Sequence, residues 1–162
     1  MKTRTYVSIM ILVLAVLIVA GSCATSKKAL PTDNIDELVG TWANPQNNLD
    51  RSGHYFGKIV FKADKTADLY ARPESELPGW HFTSIDLKEK WKDRDSNYFY
   101  GAYLKHPVAT SYGFMKISSD GKTLEMMFLT SATGLPQDML PTEIDTTAGR
   151  LDQPSYHIWY RQ

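Results

Sequence analysis

Between residues 38 and 161 the chain repeats one pattern eight times: a short run rich in aromatic and β-branched residues, bounded by Gly, Pro, Asn or Asp. The runs are Leu38–Ala43, Tyr55–Lys62, Thr66–Arg72, Trp80–Trp91, Tyr98–Lys105, Ser111–Ser118, Thr123–Thr130 and Tyr156–Arg161. Several alternate with period two. Leu124, Met126 and Phe128 oppose Thr123 and Glu125, and Ala67, Leu69 and Ala71 oppose Asp68 and Arg72. Successive side chains of a strand point to opposite faces, so this alternation buries one face and wets the other. No amphipathic helix of several turns separates the runs. The expected fold is therefore all-β, a single eight-stranded antiparallel up-and-down β-barrel, whose closure would leave no strand edge open.

Turn chemistry supports short hairpins. Ala63-Asp64-Lys65 can join the second and third runs, and Ser119-Asp120-Gly121-Lys122 places Asp-Gly at the centre of a tight turn, where glycine tolerates positive φ. The run Trp80–Trp91 changes parity near Thr83-Ser84, which predicts a bulge there. Ser131 to Pro154 breaks the spacing with two glycines and three prolines. A connection this long is often functional. Leu135 to Ile144 is read either as a short turn or helix capping one barrel mouth or as a surface loop.

The N-terminus says where the chain goes. Lys2 and Arg4 precede Tyr6 to Ala20, an uncharged apolar run of signal-peptide length. It is shorter than the roughly 20 apolar residues that span a bilayer. The run ends in Val19-Ala20-Gly21-Ser22-Cys23, which resembles a bacterial lipobox and contains the only cysteine of the chain. The resemblance implies cleavage before Cys23 and acylation of that residue; an ordinary secretory signal and a short membrane helix are the alternatives. On the lipobox reading, residues 1–22 are a lipoprotein signal peptide, 23–34 the lipidated cysteine and a flexible tether, and 35–162 the barrel domain. Two or more acyl chains hold a protein firmly to a bilayer, where one holds weakly. Ala24 in place of aspartate implies, by likeness to enteric lipoproteins, the outer membrane of a Gram-negative cell, periplasmic or surface-exposed.

A cysteine consumed by lipid leaves no disulfide and no thiolate site. Removal of Lys2 and Arg4 leaves 16 basic residues against 18 acidic ones, a net charge of −2. With no basic stripe, nucleic acid is not an expected partner.

Leu38-Val39-Gly40-Thr41-Trp42 opens the β region and His157-Ile158-Trp159-Tyr160-Arg161 closes it. This resembles a lipocalin-like domain of the calycin group, with a Gly-x-Trp motif on the first strand and an arginine on the last. The resemblance implies that Gly40, Trp42 and Arg161 close one barrel end, the arginine packing over the indole. A planar guanidinium can stack on an aromatic face while donating to nearby carbonyls.

Catalytic chemistry has no comparable signal. His54, His81, His106 and His157 are dispersed, with no His-x-His or His-x-x-x-His spacing. Glu74 with Glu76 and Asp93 with Asp95 lie in polar loops, where solvated charge is the default. There is no nucleophile elbow and no phosphate-binding glycine loop. No cofactor or metal is expected, and no residue set dictates a reaction; a hydrolase would need a carboxylate–histidine cluster in a cleft. The middle strands crowd aromatics, and Trp80, Phe82, Tyr98, Tyr100, Tyr112 and Phe114 are the candidate walls of a ligand cavity. The expected role is a membrane-anchored lipoprotein binding a small hydrophobic or amphipathic ligand. The alternative is an envelope protein-interaction module without a cavity.

Overall fold

The computed structural model describes residues 28–44, 56–129, 139–144 and 155–162. Cys23, the apolar run before it and His54 lie outside those residues. Ten strands form: β1 Lys28–Ala29, β2 Gly40–Ala43, β3 Lys58–Phe61, β4 Ala67–Tyr70, β5 Trp80–Phe82, β6 Ser84–Lys92, β7 Tyr98–His106, β8 Ala109–Ile117, β9 Thr123–Leu129 and β10 Ser155–Arg161. Their pairings are antiparallel, in the order β1-β6-β7-β8-β9-β10-β2-β3-β4-β5.

The fold is all-β, an antiparallel sheet curled into a half-barrel, and not the closed barrel of eight strands expected from the pattern. Two features change the count. Thr83 divides the run Trp80–Trp91: its N–H donates to the Lys105 carbonyl at 2.7 Å, and the Ile85 N–H to the Lys65 carbonyl at 2.7 Å. The chain thereby leaves β4, to which β5 is paired, and continues along β7 as β6. The second change is β1, which comes from the stretch expected to be tether and pairs with the free edge of β6, Lys28 opposite Lys92 and Ala29 opposite Trp91.

The bulge lies at Lys88, between Leu87 and Glu89, and not at Thr83-Ser84. One extra residue reverses the parity of all that follows. Ile85 and Leu87 point to the concave side, then Lys90 does so opposite Tyr100, while Trp91 turns to the convex side opposite Phe99.

Apolar residues consequently cover both faces. The concave core joins Trp42, Phe61, Phe82, Tyr100, Met115 and Trp159, all fully buried. A second cluster on the convex face joins Trp91, Tyr112, Phe114, Met127 and Leu129, with Phe99 and Tyr103 packed against it. Trp91 and Phe99 stack at 5.0 Å with an interplanar angle of 4°. Leu140, 4% exposed, and Ile144 cover this cluster. The described part of Leu135 to Ile144 thus packs on the outside of the sheet and does not cap a mouth.

The hairpin turns follow their sequences. Gly121 has φ 70° and donates its N–H to the Ser118 carbonyl at 2.8 Å, while Asp120 accepts from the Ser118 hydroxyl at 2.6 Å. Lys65 and Ser96 take the same left-handed conformation, φ 62° and 67°. Asp64 accepts from both the N–H and the hydroxyl of Thr66, and Asp93 from both the N–H and the side-chain amide of Asn97. Local acceptors of this kind hold a non-glycine turn together.

Candidate functional site

One end of the half-barrel is built by the segment that precedes β2. Residues 35–39 form a single turn, with the Val39 N–H donating to the Ile35 carbonyl at 3.1 Å. Ile35 and Leu38 enter the concave core with 2% and 0% exposure. The Trp42 indole N–H donates to the Leu38 carbonyl at 2.7 Å, fixing this turn to the first long-range strand. Arg161, at the end of β10, then ties the assembly together: its guanidinium lies 4.3 Å over the Trp42 ring. It donates to the carbonyls of Val39 at 3.0 Å, Glu37 at 2.5 Å and Gly121 at 2.8 Å. Gly40 makes room for this, with φ 139° and a position where a Cβ would stand 3.2 Å from Arg161 Nη1. Gly40, Trp42 and Arg161 therefore meet in space.

Beneath the same turn sits a buried charge. Lys90 points into the half-barrel with a side chain 5% exposed. Its ammonium donates to Glu37 Oε2 and to the Asn34 carbonyl, both at 3.0 Å. The Tyr100 hydroxyl donates to the same Glu37 oxygen at 2.6 Å. Burial by itself would raise the Glu37 carboxyl, but the hydrogen bonds from Tyr100 and Lys90 outweigh it and hold the pKa below its ordinary value. The Tyr100 hydroxyl is pushed far up, by burial first and then by Glu37. Sequence pattern alone did not find Glu37 or Lys90. β6 carries Lys88, Glu89, Lys90 and Lys92, and nothing in residue type marks which of these turns inward.

The six candidate wall residues do not share one face. Phe82, Tyr98 and Tyr100 belong to the concave side, Tyr112 and Phe114 to the convex cluster. Trp80 lies at the rim, 37% exposed, with its ring 5.0 Å from that of His106. They cannot line one cavity.

A cleft opens instead beside β1. Ala29, Leu30 and Thr32 form one wall, and Lys88, Glu89, Lys90 and Trp91 of β6 the other, around a volume of about 330 Å³. The Leu30 N–H donates to the Lys90 carbonyl at 2.9 Å, so the floor is continuous with the sheet. The first wall is apolar apart from Thr32, and the charged side chains are all on β6, beside Trp91. Their residues are some sixty positions apart in the chain, and no motif marks them.

The three described histidines each have a different partner. His81 Nδ1 meets Asp68 Oδ1 at 2.6 Å on β4 and β5, the His106 ring packs against Trp80 at an interplanar angle of 57°, and His157 Nε2 is hydrogen-bonded to Ser155 Oγ at 2.7 Å within β10. Lys62 also pairs with Asp68, at 2.7 Å. Burial would raise the Asp68 carboxyl, but the bonds from Lys62 and His81 keep it below its usual range. Among the described residues no three of His, Cys, Asp and Glu come together as metal ligands would. Compared with protein-family models, curated proteins and solved structures, the chain matches none.

Proposed function

We propose that the chain is a lipid-anchored protein of a Gram-negative envelope, acylated at Cys23, whose lipocalin-like half-barrel binds a small hydrophobic or amphipathic ligand. The observation that carries this reading is the cleft of about 330 Å³ between residues 29–32 and β6. Small-molecule sites run from roughly 300 to 1,000 Å³, mostly apolar with a few placed polar groups. The cleft meets the lower bound and offers Leu30 and Trp91 beside Lys88 and Glu89. Its place relative to the anchor supports an amphipathic occupant. Lys28 is the fifth residue after Cys23, and five residues reach at most ~18 Å. The stacked Trp42 and Arg161, with Gly40 beside them, support the lipocalin-like assignment.

The test has two parts. Growth with a radioactive fatty acid should label the protein, and Cys23→Ser should abolish the label. The full chain purified from membranes, incubated with a lipid extract and examined by mass spectrometry, should retain a small molecule at near one equivalent. A chain that retains nothing would end the ligand reading.

A second reading, an interaction module, draws support from the opposite end of the strands. Leu77, in the loop before β5, and Val108, in the β7–β8 turn, are 83% and 84% exposed. Crosslinking in cells should then capture one stoichiometric partner that Leu77→Asp with Val108→Asp releases.

A further inference from the structure

The charges of the cleft are unevenly matched, and this selects among amphipathic ligands; the step rests on the ligand reading above. Both lysines of the cleft already have a carboxylate. Lys88 Nζ lies 2.7 Å from Asp86 Oδ2, and Lys90 Nζ 3.0 Å from Glu37 Oε2. Glu89 has none. Among the described residues it makes no ion pair, and its carboxylate accepts only the Tyr112 hydroxyl, at 3.4 Å. That is at the outer limit of a hydrogen bond.

The position of Glu89 is built, not incidental. The bulge at Lys88 sets Glu89 opposite Gly101 on β7. A Cβ at Gly101 would stand 2.6 Å from both Cγ and Oε1 of Glu89, and it would also overlap the Tyr112 hydroxyl. Only the missing side chain lets the carboxylate lie along the sheet at this point. Tyr112 is 1% exposed, so the carboxylate has a desolvated neighbour, and Glu89 is one of the residues that line the cleft. A carboxylate in such a place, without a cation, is the feature of the cleft that a ligand can satisfy.

We infer that the cleft takes a cationic amphiphile, with an ammonium group against Glu89 and hydrocarbon against Ala29, Leu30 and Trp91. The ammonium can belong to an aminophospholipid head group or to a free alkylamine; the chemistry at Glu89 is the same. An anionic amphiphile of the same length meets a neutralised Lys88 and an unneutralised carboxylate, while the Lys90 ammonium is turned inward to Glu37, and it is disfavoured. A charge-assisted hydrogen bond is worth enough to separate the two by about tenfold or more in affinity.

The experiment uses the full chain in lipid nanodiscs made without aminophospholipid, with empty discs as the blank. Hexylammonium, hexanol and hexanoate are titrated calorimetrically into the wild type, Glu89→Gln and Ala29→Trp, and circular dichroism verifies that each variant is folded. The wild type should bind hexylammonium about tenfold or more tighter than the other two. Glu89→Gln should remove the preference, and Ala29→Trp should weaken all three by filling the cleft. Should Glu89→Gln fail to fold, the wild-type ranking of the three probes decides. Equal binding of all three, still blocked by Ala29→Trp, would keep the cleft and overturn the cationic assignment. Binding that Ala29→Trp leaves untouched, or no binding at all, would overturn the cleft as well. Repeating the titration in discs that contain aminophospholipid separates the sources: competition identifies the lipid head group, and its absence identifies a free amine.

Discussion

The Arg161 guanidinium lies 4.3 Å over the Trp42 ring while it donates to the carbonyls of Glu37, Val39 and Gly121. One side chain thus holds the last strand, the first long-range strand, the turn before it and the β8–β9 hairpin. Arg161→Ala removes these bonds from an exposed site and should destabilise the domain by about 1–2 kcal/mol. Arg161→Lys, which cannot fork to several carbonyls, should recover only part of this. Chemical unfolding of the three proteins checks the order.

Glu37 makes stability depend on acid. Its folded pKa is below the ordinary 4.5, because the bonds from Tyr100 and Lys90 outweigh burial. A depressed carboxyl stabilises the fold above its unfolded pKa, and this stability is lost as the pH falls through the lowered value. The wild type should therefore weaken below about pH 4.5, and Tyr100→Phe should flatten that part of the curve. Urea midpoints measured from pH 7 to pH 3 test the difference. An unchanged slope in Tyr100→Phe would exclude this bond as the cause.

Three of the nine tyrosines should not titrate near pH 10. Burial first, and a neighbouring carboxylate with it, raises Tyr100, Tyr112 and Tyr156 above 10. Their neutral forms stabilise the fold, and that contribution is complete below pH 10 and lost above it, where the unfolded chain ionises. In the chain that begins at Cys23, which lacks Tyr6, absorbance titration should show at most five tyrosinates before the domain unfolds in alkali, then the rest in one step.

The Lys88 bulge sets which face each later residue of β6 meets. Deleting Lys88 would turn Trp91 inward and expel Lys90 from Glu37, and the variant should not fold to the native sheet. Lys88→Ala keeps the count, loses an exposed pair with Asp86, and should cost less than about 1 kcal/mol. Circular dichroism and thermal unfolding distinguish the two.

Leu140 shields the convex aromatics. Leu140→Ala should cost about 2–3 kcal/mol, toward the low end for a buried leucine because its segment can settle. It should also raise the binding of a hydrophobic dye by exposing the cluster of Trp91, Phe114 and Leu129.

The strand runs were legible because alternation and turn residues are local signals. β7, β8, β9 and β10 lie within a few residues of the expected runs. Gly40, Trp42 and Arg161 were legible through a resemblance, and they meet. What stayed hidden depends on partners far along the chain. Thr83 ends β5 because Lys105 accepts its N–H. Lys90 is tolerated inside because Glu37 and Asn34 reach it from more than fifty residues upstream. Tyr98-Phe99-Tyr100 is apolar on both faces, so its sequence could not assign a side, and a second cluster under Leu140 uses the outer one. The cleft joins residues 29–32 to β6 through backbone pairing, which leaves no trace in residue type.

Native mass spectrometry of the full chain, released from membranes alongside Ala29→Trp, addresses the proposed site most directly. The wild type should carry a small amphipathic molecule at near one equivalent, and Ala29→Trp, folded but with its cleft filled, should carry little or none. Equal loading of both proteins would place the ligand elsewhere and contradict the cleft as its site.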